Sequence, residues 1–247
     1  MTFDSYHWHN SRAATPELEA ARKAAATGDV TAFERLLRSG DPIAVGIALD
    51  QFHYADAAMR HGTSNPFEPY SEEIVAQARA TLRAEPSLRS PGTEAGANHA
   101  SALLALMNLA EPEDAPLIAR ALEKTHTTNL RVAAAYAGST ALEKSSSPDE
   151  GLIAELDRLV HDDAAGIDER QTALSALGRT PADSAVGALL RALGLPELSL
   201  QAIAALHLLD RDQPRHRARV EEATRTWPED APYPAYEVLD LLAESAP

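Results

Sequence analysis

The sequence predicts an all-α fold in which antiparallel helix pairs stack into an α-solenoid. A helix-start signal with proline at the first helical position recurs at Pro112, Pro148 and Pro181, with spacings of 36 and 33 residues. A period in this range is typical of stacked helix pairs. Hydrophobic residues make up 45% of the 247-residue chain but aromatic residues only 5%, a balance that favours helices over strands. Several apolar stripes follow the 3.6-residue period of a helix, and no sustained two-residue alternation accompanies them.

The first third of the chain predicts a peripheral segment and three helices. Residues 1–15 are polar, so we expect them to be irregular, and a helix begins near Pro16. The next helix ends at Gly40 and has one apolar face, formed by Val30, Phe33, Leu36 and Leu37. Asp41 and Pro42 then provide an N-cap and a first helical residue. The third helix has its apolar face at Val45, Ala48, Leu49, Phe52 and Met59.

The middle of the chain predicts helices separated by two breaks. Residues 62–70 and 85–97 are rich in Gly, Pro, Ser and Asn, which is typical of loops. A helix containing Ile74, Val75, Ala78 and Leu82 lies between them, and another runs from His99 to Leu109. From Pro112 onwards each repeat predicts a first helix and an Ala-rich second helix, the second helices beginning near Asn129, Asp168 and Glu197.

The C-terminal residues 212–247 predict a cap for the solenoid. They comprise a charged helix, a proline-rich turn and a final helix with Tyr236, Val238, Leu239, Leu241 and Leu242. An atypical, polar end unit is what a repeat stack requires. We therefore expect residues 1–247 to form a single solenoid domain.

The second helices resemble those of HEAT repeats. In that pattern an inward Arg is followed by small and apolar residues at +3, +4 and +7. Arg131 precedes Ala134, Ala135 and Gly138, and Arg170 precedes Ala173, Leu174 and Leu177. Ser199 and His99 occupy the Arg position in two variant copies. The resemblance covers residues 96–210 well and residues 28–95 loosely. It implies a protein-binding scaffold, although some members of the family are DNA glycosylases or serve cofactor lyases, and it carries no site residue over to this chain.

Composition and charge exclude several functions. The net charge of −15 opposes binding to nucleic acid, because a duplex-binding protein needs a large cationic surface. The absence of cysteine excludes disulfides and thiolate chemistry. No signal peptide and no apolar run of about 20 residues is present, so we expect an acidic cytoplasmic protein without a membrane partner. The Ala/Arg-rich composition resembles that of bacterial proteins.

The third helix contains a polar stripe that is a candidate ligand site. Asp50, His53, Arg60 and His61 share one stripe of the helix, and Tyr54 flanks it. A carboxylate and an imidazole at i and i+3 can bind a metal or share a proton. A solvated helix face is the alternative interpretation, and we expect no metal site here.

Asn98 and His99 are the second candidate pair. His99 lies among Ala102, Leu103 and Leu106 on a helical wheel, so it is expected to point inward. A buried His needs a hydrogen-bond partner. It is therefore either a structural His that bonds a neighbouring repeat or part of a site shared with the third helix across a concave groove.

Two further segments are weaker candidates. His7, Trp8 and His9 are typical of a packing or disordered tail, with a metal or aromatic contact as the alternative. Arg211, Arg215 and Arg219 recur every four residues on one helix face and form a basic stripe that an acidic partner or a phosphate could contact.

The sequence leaves two functions open. The first is a non-enzymatic scaffold whose concave face or inter-repeat loops bind another protein. The alternative is an enzyme or small-ligand binder that uses the polar residues in the groove formed by residues 45–107. No cofactor motif is present in the sequence, so we expect no cofactor.

Overall fold

The structure is an all-helical stack. The computed structural model describes residues 14–59, 64–84, 96–123 and 127–244, and within them every regular element is a helix, which confirms the predicted class. Short 3₁₀ turns at Glu68–Tyr70 and Pro112–Asp114 precede the fourth and sixth α-helices. In chain order the α-helices are α1 (Pro16–Ala26), α2 (Val30–Leu37), α3 (Pro42–Met59), α4 (Ser71–Arg83), α5 (Ala97–Leu106), α6 (Ala115–Ala121), α7 (Thr128–Glu143), α8 (Glu150–Val160), α9 (Ile167–Leu177), α10 (Asp183–Ala192), α11 (Leu198–Thr224) and α12 (Ala235–Glu244).

The helices form the two layers of an α-solenoid. The first helices of the pairs are α2, α4, α6, α8 and α10, and the second helices are α3, α5, α7, α9 and α11. Each second helix packs against the second helix before it and the one after it, which confirms the predicted HEAT-like stacking. At the two ends, α1 packs on α2 and α3, and α12 packs on α11.

The second helices carry most of the core. Every residue of α5 is buried, and α3 is buried without interruption from Ala44 to His53. Alanine dominates these positions, so neighbouring backbones can approach closely. None of the described helices is both long and apolar enough to cross a membrane.

The prolines that mark the repeats lie before the α-helices whose starts they predict. Pro112 belongs to a 3₁₀ turn, and Pro148 and Pro181 each precede the N-cap residue. Pro112 is the first residue of the 3₁₀ turn that leads into α6, and Pro16 and Pro42 are the first residues of their helices, but the prediction of a first helical position is wrong for Pro148 and Pro181. At α8 the reason is the N-cap: the Asp149 carboxylate accepts a hydrogen bond of 2.8 Å from the Leu152 amide, which starts the helix after Asp149.

Arginines in the first-helix layer cap the helices of the preceding repeat. Arg120 Nη2 on α6 donates to the Leu82 carbonyl at the end of α4, at 3.2 Å. Arg158 Nη2 on α8 donates to the Leu122 carbonyl at the end of α6, at 2.7 Å. The last carbonyls of a helix lack partners within it, so each contact satisfies a helix end and joins two repeats. The second-helix layer has the same arrangement: the Thr140 hydroxyl donates to the Met107 carbonyl, and Arg211 donates to the Leu177 carbonyl.

The inward arginines of the HEAT-like pattern form ion pairs between repeats. Arg131 Nη2 lies 2.7 Å from Glu169 Oε1, and these residues are 8% and 1% exposed. That oxygen accepts no well-formed hydrogen bond, so the contact is an ion pair. Arg170 forms the next ion pair along the stack, with its Nη1 2.7 Å from Glu197 Oε1. Its Nε also donates to the Val160 carbonyl. The second helices are therefore linked by buried charge as well as by apolar packing.

The C-terminal end of the stack departs from a straight helix. The helical backbone of α11 is broken at Asp212, which has φ −158° and ψ 81°, and Pro214 follows. The expected basic stripe of Arg211, Arg215 and Arg219 therefore does not run along one continuous helix face. Arg211 is instead turned toward α9, where it donates to the Leu177 carbonyl at 2.9 Å.

Candidate functional site

A cavity of about 600 Å³ lies between α1 and α3, beside the turn that follows α3. The end of α1 provides Ala25, Ala26 and Thr27, and α3 provides Gln51, Tyr54 and Ala55. Its size is that of a pocket for a small organic molecule. The cavity lies on the side of α3 that faces α1. The sequence instead predicted a groove formed by residues 45–107.

The turn at 65–67 forms one wall of this cavity. The Asn65 side-chain oxygen accepts a hydrogen bond of 2.9 Å from the Phe67 amide, which holds the turn closed. The Phe67 ring stacks on Phe33 of α2, with centroids 4.0 Å apart and planes at 10°. Gly28 ends α1 with φ +89°, a left-handed conformation that favours glycine. These contacts fix an apolar wall opposite α3.

The polar side chains of Arg22, Gln51 and Tyr54 line the same cavity. Arg22 lines the cavity and is held by Glu19 through two hydrogen bonds of 2.7 and 2.8 Å. These bonds raise the pKa of Arg22, burial opposes that shift, and the negative charge of Asp50 adds to it. Gln51 is only 5% exposed and contributes an amide. The guanidinium is thus largely neutralised by its neighbours, and the cavity offers hydrogen bonds rather than net charge.

Asp50, His53, Asn98 and His99 form a buried polar set on α3 and α5. Their exposed fractions are 3%, 2%, 4% and 5%. Burying titratable groups is costly unless they are paired, and Asp50, His53 and His99 each make an interaction. The Asn98 side-chain oxygen is buried and accepts no hydrogen bond from the residues that the structure describes. For Asp50 and His53, the two residues of the α3 stripe that the structure describes, the interpretation as a solvated face is therefore wrong.

The register of α3 and α5 offsets the members of this set along the helices. Both are second helices, and near their C-terminal ends the Asn108 amide donates to the Asp56 carboxylate. With 1.5 Å of rise per residue, that contact puts Asp50 about one turn and His53 nearly two turns further along the layer than His99. Asp50 and His53 therefore lie within about one turn of Tyr54, which lines the cavity. Asn98 and His99 lie at the start of α5.

Of the remaining candidate residues predicted from the sequence, Tyr54 lies at the cavity and the others lie outside the described residues. Tyr54 is half-buried, lines the cavity, and has its ring centroid 6.5 Å from that of His53. Arg60 and His61, the segment His7–His9 and the side chain of Met59 lie outside the described residues. Among the described residues, no group of three or more His, Asp or Glu side chains is placed to hold a metal ion.

Two residues of the cavity were missed by the sequence reasoning. Arg22 and Gln51 lie in Ala-rich helices, where a polar residue usually marks the solvent face. Gln51 carries the better signal, because it directly follows Asp50 and falls between the apolar neighbours Leu49 and Phe52. A polar pair inside an apolar run is a sign of a buried polar contact.

Comparisons with known proteins show a likeness of fold. No protein-family profile matches the chain, and no curated protein matches it. The solved structure of human deoxyhypusine hydroxylase in complex with glycerol is similar, with 20% sequence identity and a TM-score of 0.46. The match covers 79% of this chain and 67% of that chain.

This comparison corrects one prediction. The protein was expected to be a non-enzymatic protein-binding scaffold, but the solved structure that it resembles is that of an enzyme. The alternative that the sequence left open is an enzyme or small-ligand binder. The likeness concerns the course of the chain and transfers no residue role, so a function has to be argued from the residues of this chain.

Proposed function

We propose that the protein binds a small organic molecule in the cavity between α1 and α3, and that Asp50 and His53 supply proton-transfer chemistry beside it. The observation that carries the proposal is the position of the cavity directly against the buried polar turn of α3. Gln51 and Tyr54 line the cavity, and Asp50 and His53 lie in the same two turns of the helix.

The lining indicates the kind of ligand. Ala25, Ala55 and Phe67 offer an apolar surface, while Gln51 and Tyr54 offer hydrogen bonds. A mainly apolar pocket with a few polar groups is the usual composition of a small-molecule site. Because Arg22 is paired with Glu19, the ligand is a compound with an apolar body and hydrogen-bonding groups rather than a polyanion.

The buried carboxyl and imidazole support acid–base chemistry. Asp50 and His53 lie at i and i+3, the spacing that places two side chains on one helix face. Both are buried, so the pair lies away from bulk water, where a positioned carboxyl and imidazole can act as acid and base. Tyr54 lines the cavity and its ring centroid lies 6.5 Å from that of His53, so it is the side chain that joins the cavity to this pair.

Binding is tested by a thermal-shift screen of small metabolites against the intact chain. A ligand at a hundred times its Kd adds about 2.7 kcal/mol to the free energy of unfolding, so a true ligand raises Tm measurably. Ala55→Leu, which fills the cavity, is expected to abolish that rise. The matched control is Ala119→Leu, a half-buried alanine on α6 away from the cavity, which keeps it.

Two further variants separate binding from chemistry. Tyr54→Phe removes the phenol hydroxyl at the cavity and is expected to weaken binding, while Tyr136→Phe, a half-buried tyrosine on α7, leaves binding unchanged. Each hit is incubated with the protein and analysed by mass spectrometry. Turnover that is lost in Asp50→Asn supports the proton-transfer role. Binding without turnover contradicts that role, and equal effects of Ala55→Leu and Ala119→Leu contradict the site.

A further inference from the structure

A second cavity lies at the opposite end of the stack, where α9, α11 and the start of α12 meet. Its volume is about 610 Å³, and it continues into a smaller space of about 300 Å³ that reaches α7. Gln171, Ser175 and Ile203 line both parts, so the two form one groove on the second-helix layer. We call this the C-terminal groove.

The floor of the groove is built by a close approach of two helices. His207 on α11 lies so near Gly178 on α9 that a β-carbon at position 178 would collide with the imidazole ring. Burial lowers the pKa of His207, Asp210 opposes that shift, and Arg211 and Arg179 add to it. Because its pKa lies below the ordinary 6.5, the imidazole is neutral at pH 7 and contributes no positive charge to the groove.

The rim of the groove is acidic. Asp210 on α11 and Glu237 on α12 both line it, and neither forms an ion pair or hydrogen bond with any residue in the described ranges. Of the nearby cations, Arg211 is turned to the Leu177 carbonyl and Arg179 lies 3.9 Å from Glu143. Asp210 and Glu237 therefore keep unpaired carboxylates at the groove, in a chain whose net charge is −15, and Arg179 is the cation that lines its smaller part. A cation is attracted both locally and at long range.

Two exposed tyrosines lie in contact near the start of α12, and one of them lines the groove. Tyr233 lines the groove and is 68% exposed, and Tyr236 is 50% exposed. Their ring centroids are 5.9 Å apart, with planes at 55°. Exposed aromatic faces next to carboxylates attract organic cations, because the ring quadrupole and the negative charges act together.

We propose that the C-terminal groove binds a small organic ammonium compound, with its cationic group held by Asp210, Glu237 and Tyr233 and its remaining atoms lying on Ile203 and the serines of the floor. The site is separate from the cavity between α1 and α3, and the proposal does not depend on that one. A free small molecule is the occupant because α9, α11 and the start of α12 line the groove and its volume is that of a small-molecule pocket.

Choline and its uncharged isostere 3,3-dimethylbutan-1-ol test the proposal on the full chain. The two have nearly the same shape and differ in charge, so a titration followed by NMR or calorimetry isolates the cationic contribution. We expect saturable binding of choline at least about fivefold tighter than that of the isostere. Equal affinity for both, or no saturable binding of choline, would overturn the proposal.

Variants at the rim locate the binding. Glu237→Gln and Tyr233→Leu are each expected to weaken choline binding severalfold, and their exposed positions leave the fold intact, as thermal melts would verify. The matched control is Glu72→Gln, an exposed glutamate on α4 far from the groove, which leaves binding unchanged. A loss of the same size in Glu72→Gln would mean that choline responds only to the overall negative charge, and that result contradicts the site.

Discussion

The imidazole of His207 on α11 packs directly over Gly178 at the end of α9, in the space that a side chain at position 178 would fill. Gly178 has ordinary helical angles of φ −61° and ψ −19°, so its backbone does not require glycine. The requirement comes from the neighbouring helix. In this stack a glycine therefore sets how closely α9 and α11 approach and shapes the groove between them.

Gly178→Ala is expected to destabilise the protein by about 1–3 kcal/mol, because the new methyl group displaces the half-buried ring of His207. Urea unfolding measures the change. The control is Gly187→Ala on α10, where a β-carbon meets only Arg191 at an ordinary 3.5 Å; this variant should gain about 0.5–1 kcal/mol from helix propensity. The double variant Gly178→Ala/His207→Ala should recover part of the loss, and a purely additive result would contradict the steric account.

The fold was predictable because its signals are local. Asp149 and the residues after Pro148 specify a helix start within a few positions, and the stripe of Phe33, Leu36 and Leu37 specifies a buried face. Even there, α8 and α10 begin two residues after the prolines that were expected to start them. At α8 the reason is that the Asp149 carboxylate reaches one of the first free amides.

The site was only partly predictable because burial depends on distant segments. Asp50 and His53 form the pattern of a polar helix face, and only the packing of α1, α2, α4 and α5 around α3 makes that face internal. The cavity depends on the turn at 65–67 and on Gly28, which come from opposite sides of α3 in the sequence. No periodicity within α3 carries that information.

The buried ion pair between Arg131 and Glu169 is expected to be costly to break. Glu169→Leu leaves the Arg131 guanidinium, 8% exposed, without its partner, and should destabilise the protein by about 3–5 kcal/mol. The comparison is the pair Arg191–Asp157 at 2.7 Å, whose arginine side chain is 57% exposed. Arg191→Met should cost less than about 1 kcal/mol. Similar losses in the two variants, measured by urea unfolding, would show that burial of the pair does not matter.

The low pKa of His207 predicts a loss of stability in acid. Between its lowered folded-state pKa and 6.5, the unfolded chain binds a proton that the folded chain does not, so stability falls as the pH drops through that window. Urea unfolding at pH 7.5 and pH 5 should show a larger loss in the wild type than in His207→Gln. An equal loss in both would mean that the burial of His207 does not contribute to acid sensitivity.

The last prediction concerns the buried histidine beside the proposed ligand cavity. As a residue of a solvated face, His53 could be replaced at a cost under about 0.5 kcal/mol. Because it is only 2% exposed, His53→Ala should instead cost on the order of 1–4 kcal/mol, from the void and from the polar contact that it removes. His99→Ala, at 5% exposure, should cost a similar amount. Thermal and urea unfolding measure both, with the exposed Glu72→Ala as the surface control, expected within about 0.5 kcal/mol of the wild type. A His53→Ala protein as stable as Glu72→Ala would mean that α3 presents this residue to solvent, and the proposed role of Asp50 and His53 behind the cavity would lose its structural basis.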